Sequence, residues 1–223
     1  MKNLVKSVFL ALLAVATLAA PAFCQQTSAP VVSTPEWRGY IAALVGAVSG
    51  PPSEAAFTVE YAENMRRDAQ AYVAVSYFDN LMRQETRNGL AGVGATLTSI
   101  TGTTWQLSGR DRGVAATGGA KYVAPLGIFR PYAGGGGGVI NVKRTITDLR
   151  AGDVKLAVFN DFLVGDAALV GLDSATKPVG EFVAGVGLIL GHTYVDAAYR
   201  YRKVFGLTDL DFSQFSAGVG YKF

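Results

Sequence analysis

The sequence is nearly free of the residue types that most often bind metals or cross-link a chain. It contains one cysteine, Cys24, and one histidine, His192, among 223 residues. A structural zinc site needs several Cys or His ligands, and a disulfide needs a pair of cysteines. The five-glycine run at 134–138 also lacks the helix start and acidic partner of a dinucleotide-binding loop. We therefore predict no metal site, no cofactor and no disulfide within the chain.

Charge and long apolar runs are also scarce. Charged residues make up 17% of the chain and form no basic stripe, which argues against a nucleic-acid partner. Half of the residues are hydrophobic, and the mean hydropathy is +0.27. Yet no stretch beyond residue 22 reaches the roughly 18 consecutive apolar residues of a membrane-spanning helix. High apolarity without such a helix is typical of membrane strands in which apolar and polar residues alternate.

The first 22 residues predict a secretory signal peptide. Two lysines precede an apolar core at 8–20, and Ala20-Pro21-Ala22 follows as an A-x-A cleavage site. Cleavage after Cys24 is the alternative. Residues 25–36 are polar and contain two prolines, which is typical of a short linker, and we place this linker at 23–36. We therefore predict an exported protein with one folded domain over residues 37–223.

The end of the sequence predicts a strand with one apolar face. Successive strand side chains point to opposite sides, so alternate positions share a face. The apolar face carries Phe215, Ala217, Val219, Tyr221 and Phe223. The opposite face carries only small or polar residues and one lysine. This pattern fits a half-buried strand of a soluble sandwich. The final aromatic residue and the predicted export favour a barrel strand that ends at a lipid interface.

Three motifs resemble the bacterial outer-membrane β-barrel domain family, the small OmpA-like barrels. They are RPYAGGGGG at 130–138, YRYRKVF at 199–205 and the terminal GVGYKF at 218–223. The resemblance covers roughly residues 37–223 and implies an antiparallel barrel in the outer membrane, surrounded by its lipid, with both ends and the 23–36 linker in the periplasm. It also implies that the barrel assembly machinery recognises the terminal strand through Phe215, Val219, Tyr221 and Phe223.

The alternating segments predict an all-β fold, an eight-stranded antiparallel transmembrane barrel. Two long outer loops are expected, at 81–112 and 145–177. In the first loop, residues 81–88 predict a helical turn or two. Residues 91–98 alternate, so a ten-stranded barrel is the alternative, although its partner segment at 103–108 is too short to cross a membrane.

The second long loop shows apolar residues at near-helical spacing. These are Leu156, Phe159, Leu163 and Val170. We predict a short amphipathic helix there, lying on the barrel mouth or on lipid. A contact site for a partner or an apolar ligand is the alternative.

Gly191-His192 predicts a two-residue hairpin turn, which fixes the register of the strands on either side. That register places Glu181 directly across from Arg202, with Arg200 one inward step away. Opposed strand residues have Cβ atoms about 4.5–5.5 Å apart, within reach of a guanidinium–carboxylate contact. We therefore predict a structural ion pair of Glu181 with Arg202 inside the barrel, shared by Arg200, near an outer mouth that water enters.

The inward positions of the predicted strands hold several charges of both signs. An eight-stranded barrel is just wide enough for side chains to fill it. Opposite charges in so narrow a lumen are expected to pair and plug it. The set comprises Glu60, Lys121, Glu181, Asp196, Arg200 and Arg202.

These observations predict an integral outer-membrane barrel with a structural or surface-interaction role. No catalytic residue is predicted, because the one histidine lies in a hairpin turn that the implied topology places in the periplasm. A narrow, porin-like channel is the first alternative. A barrel enzyme that acts on outer-leaflet lipid, with a serine–histidine pair near the outer rim, is a weaker one.

Overall fold

The computed structural model describes residues 37–49, 54–148, 154–155, 174–206 and 210–223. The predicted signal peptide at 1–22 and linker at 23–36 lie outside the described residues. So do 156–173, and with them Leu156, Phe159, Leu163 and Val170, on which the amphipathic helix was predicted.

Strands dominate the described residues, which also contain one α-helix. The elements are β1 (Gly39–Ser49), β2 (Glu54–Arg66), β3 (Ala69–Phe78), α1 (Gln84–Thr101), β4 (Leu107–Val123), β5 (Phe129–Asp148), β6 (Val154–Lys155), β7 (Ser174–Leu190), β8 (Thr193–Val204) and β9 (Asp211–Lys222). β6 only adds a short pairing to the end of β5. α1 does not have the length and apolarity that crossing a membrane would require.

Eight of these strands close into an antiparallel barrel. They follow the ring order β1-β2-β3-β4-β5-β7-β8-β9, and every neighbouring pair is antiparallel. β9 pairs with β1 from Tyr40 opposite Lys222 to Ser49 opposite Ser213, which completes the ring. Closure satisfies the backbone groups that an open edge would expose. The predicted eight-stranded barrel is confirmed.

The strands separate an inward polar face from an outward apolar face. In β2, Thr58 and Glu60 are buried, whereas Phe57, Val59 and Tyr61 point outward. The same alternation places large apolar side chains all around the outside. They include Ile41, Val45, Val73, Val75, Tyr77, Val114, Tyr122, Val139, Phe182, Val219 and Tyr221.

Helix α1 corrects the prediction for residues 81–112. It is 18 residues long rather than a turn or two, and the alternating segment 91–98 lies within it, so the ten-strand alternative is wrong. The small residues of 91–98 imitate a period of two. The larger ones, at Leu90, Val93 and Leu97, follow the helical period instead. Leu90 is buried against Met82 and Ile146, which fixes the helix over the barrel mouth.

The glycine run in β5 lies where two strands approach closely. A Cβ atom at Gly138 would overlap the carbonyl oxygen of Ala116 in β4. Across the barrel, a Cβ atom at Gly218 would overlap the carbonyl oxygen of Ala43 at the β9–β1 closure. Glycines therefore allow close approach of the backbone at two opposite places in the ring, β4–β5 and β9–β1.

The barrel has two distinct ends. The helix end is the end of the barrel at which α1 connects β3 to β4. The turn end carries the Arg67-Asp68 and Gly191-His192 turns, together with residues 124–128.

Candidate functional site

The centre of the barrel holds a network of buried charges, and the predicted residues Glu181, Arg200 and Arg202 all belong to it. Glu181 of β7 lies directly opposite Arg202 of β8. Arg202 Nη2 lies 2.6 Å from Glu181 Oε2, in an ion pair, and Arg200 Nη1 donates to Glu181 Oε1 at 3.0 Å. All three side chains are fully buried, in contrast to the water-accessible mouth expected from the sequence.

A second carboxylate, Glu60 of β2, extends this network across the lumen. It accepts hydrogen bonds from Lys121 of β4 and Arg200 of β8, and from Tyr40 Oη at 2.5 Å. Arg200 therefore joins the two carboxylates, because its Nη1 binds Glu181 and its Nη2 binds Glu60. The sequence predicted that Glu60 and Lys121 face the lumen, but it did not predict their hydrogen-bond partners.

Polar side chains that the sequence analysis did not assign complete the hydrogen bonds of the charged groups. Tyr72 Oη donates to Glu181 at 2.9 Å. Arg202 donates to Gln214 at 2.6 Å and to Ser76 at 3.0 Å, and Gln214 donates in turn to Thr58 at 3.0 Å. Each of these residues lies at an inward position of its strand. The alternation of inward and outward positions along each strand was thus the signal that could identify these residues as luminal, although it does not give their hydrogen-bond partners.

The third carboxylate of the lumen, Asp196, is held by a tyrosine. Tyr132 Oη lies 3.0 Å from both of its carboxylate oxygens. The Lys121 ammonium lies 4.5 Å from the centre of the same tyrosine ring, in a cation–π contact. Glu60, Glu181 and Asp196 thus balance Lys121, Arg200 and Arg202, and these six residues are all buried. Their formal charges sum to zero.

Aromatic rings fill the lumen towards the turn end. Tyr40 stacks on Tyr194 with ring centres 4.0 Å apart, and Trp37 lies 6.2 Å from Tyr40. Gly187 makes room for Tyr194, because a Cβ atom at that glycine would overlap the tyrosine hydroxyl. Bulky rings therefore occupy the space that the charged side chains leave at this end.

The helix end is also covered. Arg144 makes a two-point hydrogen bond to buried Asp111, at 2.8 and 2.7 Å. Above this pair, the apolar cluster of Met82, Leu90 and Ile146 lies under α1. Among the described residues, side chains thus occupy the centre of the lumen and the space towards both ends.

The predicted assembly residues lie on the outside of β9, beside the closure of the barrel. Val219, Tyr221 and Phe223 are 61%, 56% and 44% exposed, and Phe215 is half-buried against Tyr199. The Phe223 carbonyl accepts the Arg38 N–H at 2.8 Å, and the Phe223 N–H donates to Gly39 at 3.0 Å. The backbone of Phe223 therefore takes part in the closure.

His192 lies in the turn between β7 and β8, where its ring stacks on Tyr221 at 5.7 Å. Its imidazole makes no hydrogen bond with any described residue. No group of three His, Cys, Asp or Glu side chains suited to a metal ion occurs in the described part of the chain.

Comparisons with known proteins rest on structure alone, because neither a family model nor a curated protein matches the sequence. A major outer membrane protein from Thermus thermophilus is similar over 83% of this chain and 99% of its own, with 10% identity and a TM-score of 0.53. Ail, the attachment invasion locus protein of Yersinia pestis, matches 86% of this chain and 100% of its own, with 13% identity and a TM-score of 0.49. Neisserial surface protein A matches 84% and 97%, with 14% identity and a TM-score of 0.49.

At these identities the similarity concerns the fold. The Thermus protein shares the barrel over nearly its whole length. Together with the closed ring of eight antiparallel strands, this similarity shows that the chain has the fold of the small β-barrel proteins of bacterial outer membranes.

Proposed function

We propose that this chain is an integral barrel of a bacterial outer membrane, with a structural or surface-interaction role and no enzymatic activity. The observation that carries the proposal is the contrast between the two faces of the barrel. Val45, Val73 and Val219 are 65%, 58% and 61% exposed on the outside, whereas the centre of the lumen holds the network of six buried charged residues. So large an apolar surface is unfavourable in water and favourable in hydrocarbon, whereas paired charges are suited to the lumen.

Insertion into the membrane requires export and assembly. In this proposal the signal peptide at 1–22 directs export, and the barrel assembly machinery recognises β9, which presents Val219, Tyr221 and Phe223 outward beside the closure. Outer-membrane lipid then surrounds the apolar face. Fractionation of cells tests the location. A heat-modifiable band of the chain in the outer-membrane fraction is expected, and a soluble periplasmic protein would contradict the proposal.

The same proposal includes a lumen closed to ions. Arg200 and Arg202 cross it to reach groups on β2 and β3, and an eight-stranded barrel leaves little further space. Planar-bilayer recording of the refolded protein is the test, and no steady conductance is expected. The variant Glu60→Ser with Lys121→Ser removes one charge of each sign and serves as the opened-lumen comparison. Steady conductance of the unmodified protein would favour the channel.

The absence of enzymatic activity is tested separately. His192, the only histidine, lies at the turn end, and its ring contacts Tyr221. The proposal places this end in the periplasm, away from outer-leaflet lipid. Refolded protein incubated with lipid A is expected to leave its acyl chains intact by mass spectrometry. Release of an acyl chain that His192→Ala abolishes would overturn the non-enzymatic proposal.

A further inference from the structure

Two cations face each other on the outside of the barrel, near the helix end. Arg112 of β4 lies directly opposite Lys143 of β5, and both side chains are exposed. Like charges in directly opposed strand positions repel each other. Neither side chain has an ion-pair partner among the described residues. Asp79, the carboxylate at the end of β3, binds Arg110 instead, with Arg110 Nη2 2.5 Å from Asp79 Oδ2.

The surroundings of this pair suit a phosphate group. Arg112 and Lys143 line a cavity of about 600 Å³. Thr145 and Thr147 line the same cavity, and their hydroxyl groups are hydrogen-bond donors. A phosphate placed between the guanidinium and the ammonium would cancel their repulsion and accept several charge-assisted hydrogen bonds. The site therefore favours an anion with several oxygen atoms.

An apolar depression lies on the same outer surface, closer to the middle of the barrel. Its volume is about 430 Å³, and outward residues of β2, β3 and β4 line it, including Val59, Val73, Val75, Ala116 and Gly118. Ala116 follows Arg112 by four positions along β4, which corresponds to roughly 13 Å at the rise of a strand. Ala116 and Gly118 have little or no side chain, which leaves space there between the larger side chains of Val59, Val73 and Val75.

We propose that this face of the barrel binds one phosphate-bearing lipid. Arg112 and Lys143 hold its phosphate, and an acyl chain lies in the depression beside Ala116 and Gly118. The inference rests on the proposed insertion into the membrane, since only a membrane brings head group and chain to the two places at once. A soluble anion would explain the cations but not the apolar depression below them.

Native mass spectrometry of the refolded barrel in detergent tests the proposal, with lipid A as the probe. Lipid A from which phosphatase has removed the phosphates is the matched control ligand. We expect one lipid A to bind to each barrel, and binding to weaken at least tenfold when the phosphates are removed or when Arg112→Gln and Lys143→Gln are combined. Lys203→Gln is the control variant, because this exposed cation at the same end lies opposite a carboxylate, Asp211. It is expected to bind normally.

Two further measurements separate the head group from the chain. Ala116→Leu fills the depression and is expected to weaken binding of lipid A severalfold while leaving the cations in place. Inorganic phosphate in excess is expected not to displace lipid A. Equal binding by the Arg112→Gln/Lys143→Gln variant, or complete displacement by inorganic phosphate, would overturn the lipid site. These outcomes are distinct from a failure of the proposed location, which is read from cell fractions rather than from lipid binding.

Discussion

At the scale of single residues, the luminal charges depend on one another. Arg200 binds both Glu60 and Glu181, and Arg202 binds Glu181. Each of these side chains is fully buried, so none can turn to water when a partner is lost. Breaking a buried pair by removing one partner typically costs about 3–5 kcal/mol, whereas removing both partners costs less.

Glu181→Gln is therefore expected to destabilise the barrel by about 3 kcal/mol, because it leaves Arg202 buried beside a neutral amide. Adding Arg202→Gln is expected to recover part of that loss. Urea unfolding of the refolded protein in lipid vesicles measures the free energies of a double-mutant cycle. Failure to detect coupling between the two positions would show that the pair does not act as the structure indicates.

The exposed pair of Arg38 and Glu63 is the matched control for this cycle. Its atoms lie 2.9 Å apart, close to the separation in the buried pair, but the side chains are 77% and 35% exposed. Pairs of this kind typically contribute about 0–1 kcal/mol. Coupling in the Arg38→Gln/Glu63→Gln cycle is expected to lie in that range. Equal coupling in the two cycles would mean that burial does not determine the strength of the luminal pair.

At the scale of elements, the glycines of β5 set how closely it approaches β4. Gly138→Ala is expected to destabilise the barrel by roughly 1–3 kcal/mol or more, because the new methyl group would overlap the Ala116 carbonyl. Gly137→Ala is the control, since its methyl group would lie 3.2 Å from the Val179 oxygen and needs only a small shift. Unfolding midpoints in urea compare the two. A larger loss for Gly137→Ala would contradict the close approach at Gly138.

The closing strand β9 gives a second prediction at this scale. Phe223 bonds through its backbone to Arg38 and Gly39, and its ring stacks on Tyr61 at 6.0 Å. Phe223→Asp places a charge on the outward face of the closing strand and is expected to block assembly in cells. Deleting Phe223 also removes its backbone bonds and should have the same effect. Phe223→Tyr keeps a ring and is expected to assemble. A normal heat-modifiable band for Phe223→Asp in outer membranes would contradict the role of β9.

The helices and strands also show how much of the fold the sequence predicts. Strand alternation indicated most of the eight strands, because a period of two assigns each residue to a face. It gave no phase for β1, whose two faces are both fairly apolar, and none for the consecutive glycines of β5. It failed at residues 91–98, where alanines, glycines and threonines alternate within α1. Small residues give a weak period, and the burial of Leu90 against Met82 and Ile146 is a tertiary contact that no local pattern contains.

The same limit applies to the lumen. The two-residue turn at Gly191-His192 gave the register of one hairpin and hence the positions of Glu181 and Arg202. The contact between Arg200 and Glu60 joins residues 140 positions apart. It depends on the curvature of the whole ring, which local spacing does not encode.

At the scale of the whole molecule, the two close approaches divide the ring into halves. β1–β4 form one half, and β5, β7, β8 and β9 form the other, with the approaches at β4–β5 and β9–β1. The luminal contacts cross between the halves, since Arg200 reaches Glu60, Tyr72 reaches Glu181 and Gln214 reaches Thr58. The network therefore connects two four-stranded walls across the lumen, so losing one of its charged groups leaves partners on the opposite wall unpaired.

The orientation of the barrel in the membrane gives the last prediction. The proposed location implies that the helix end faces outward and the turn end faces the periplasm. Thr103 follows α1 and His192 lies in a turn, and both side chains are exposed. In a Cys24→Ser background, Thr103→Cys is expected to react with a membrane-impermeant maleimide on intact cells. His192→Cys is expected to react only after the outer membrane is permeabilised. Labelling of His192→Cys alone on intact cells would reverse the topology and move the lipid site of Arg112 and Lys143 to the inner leaflet.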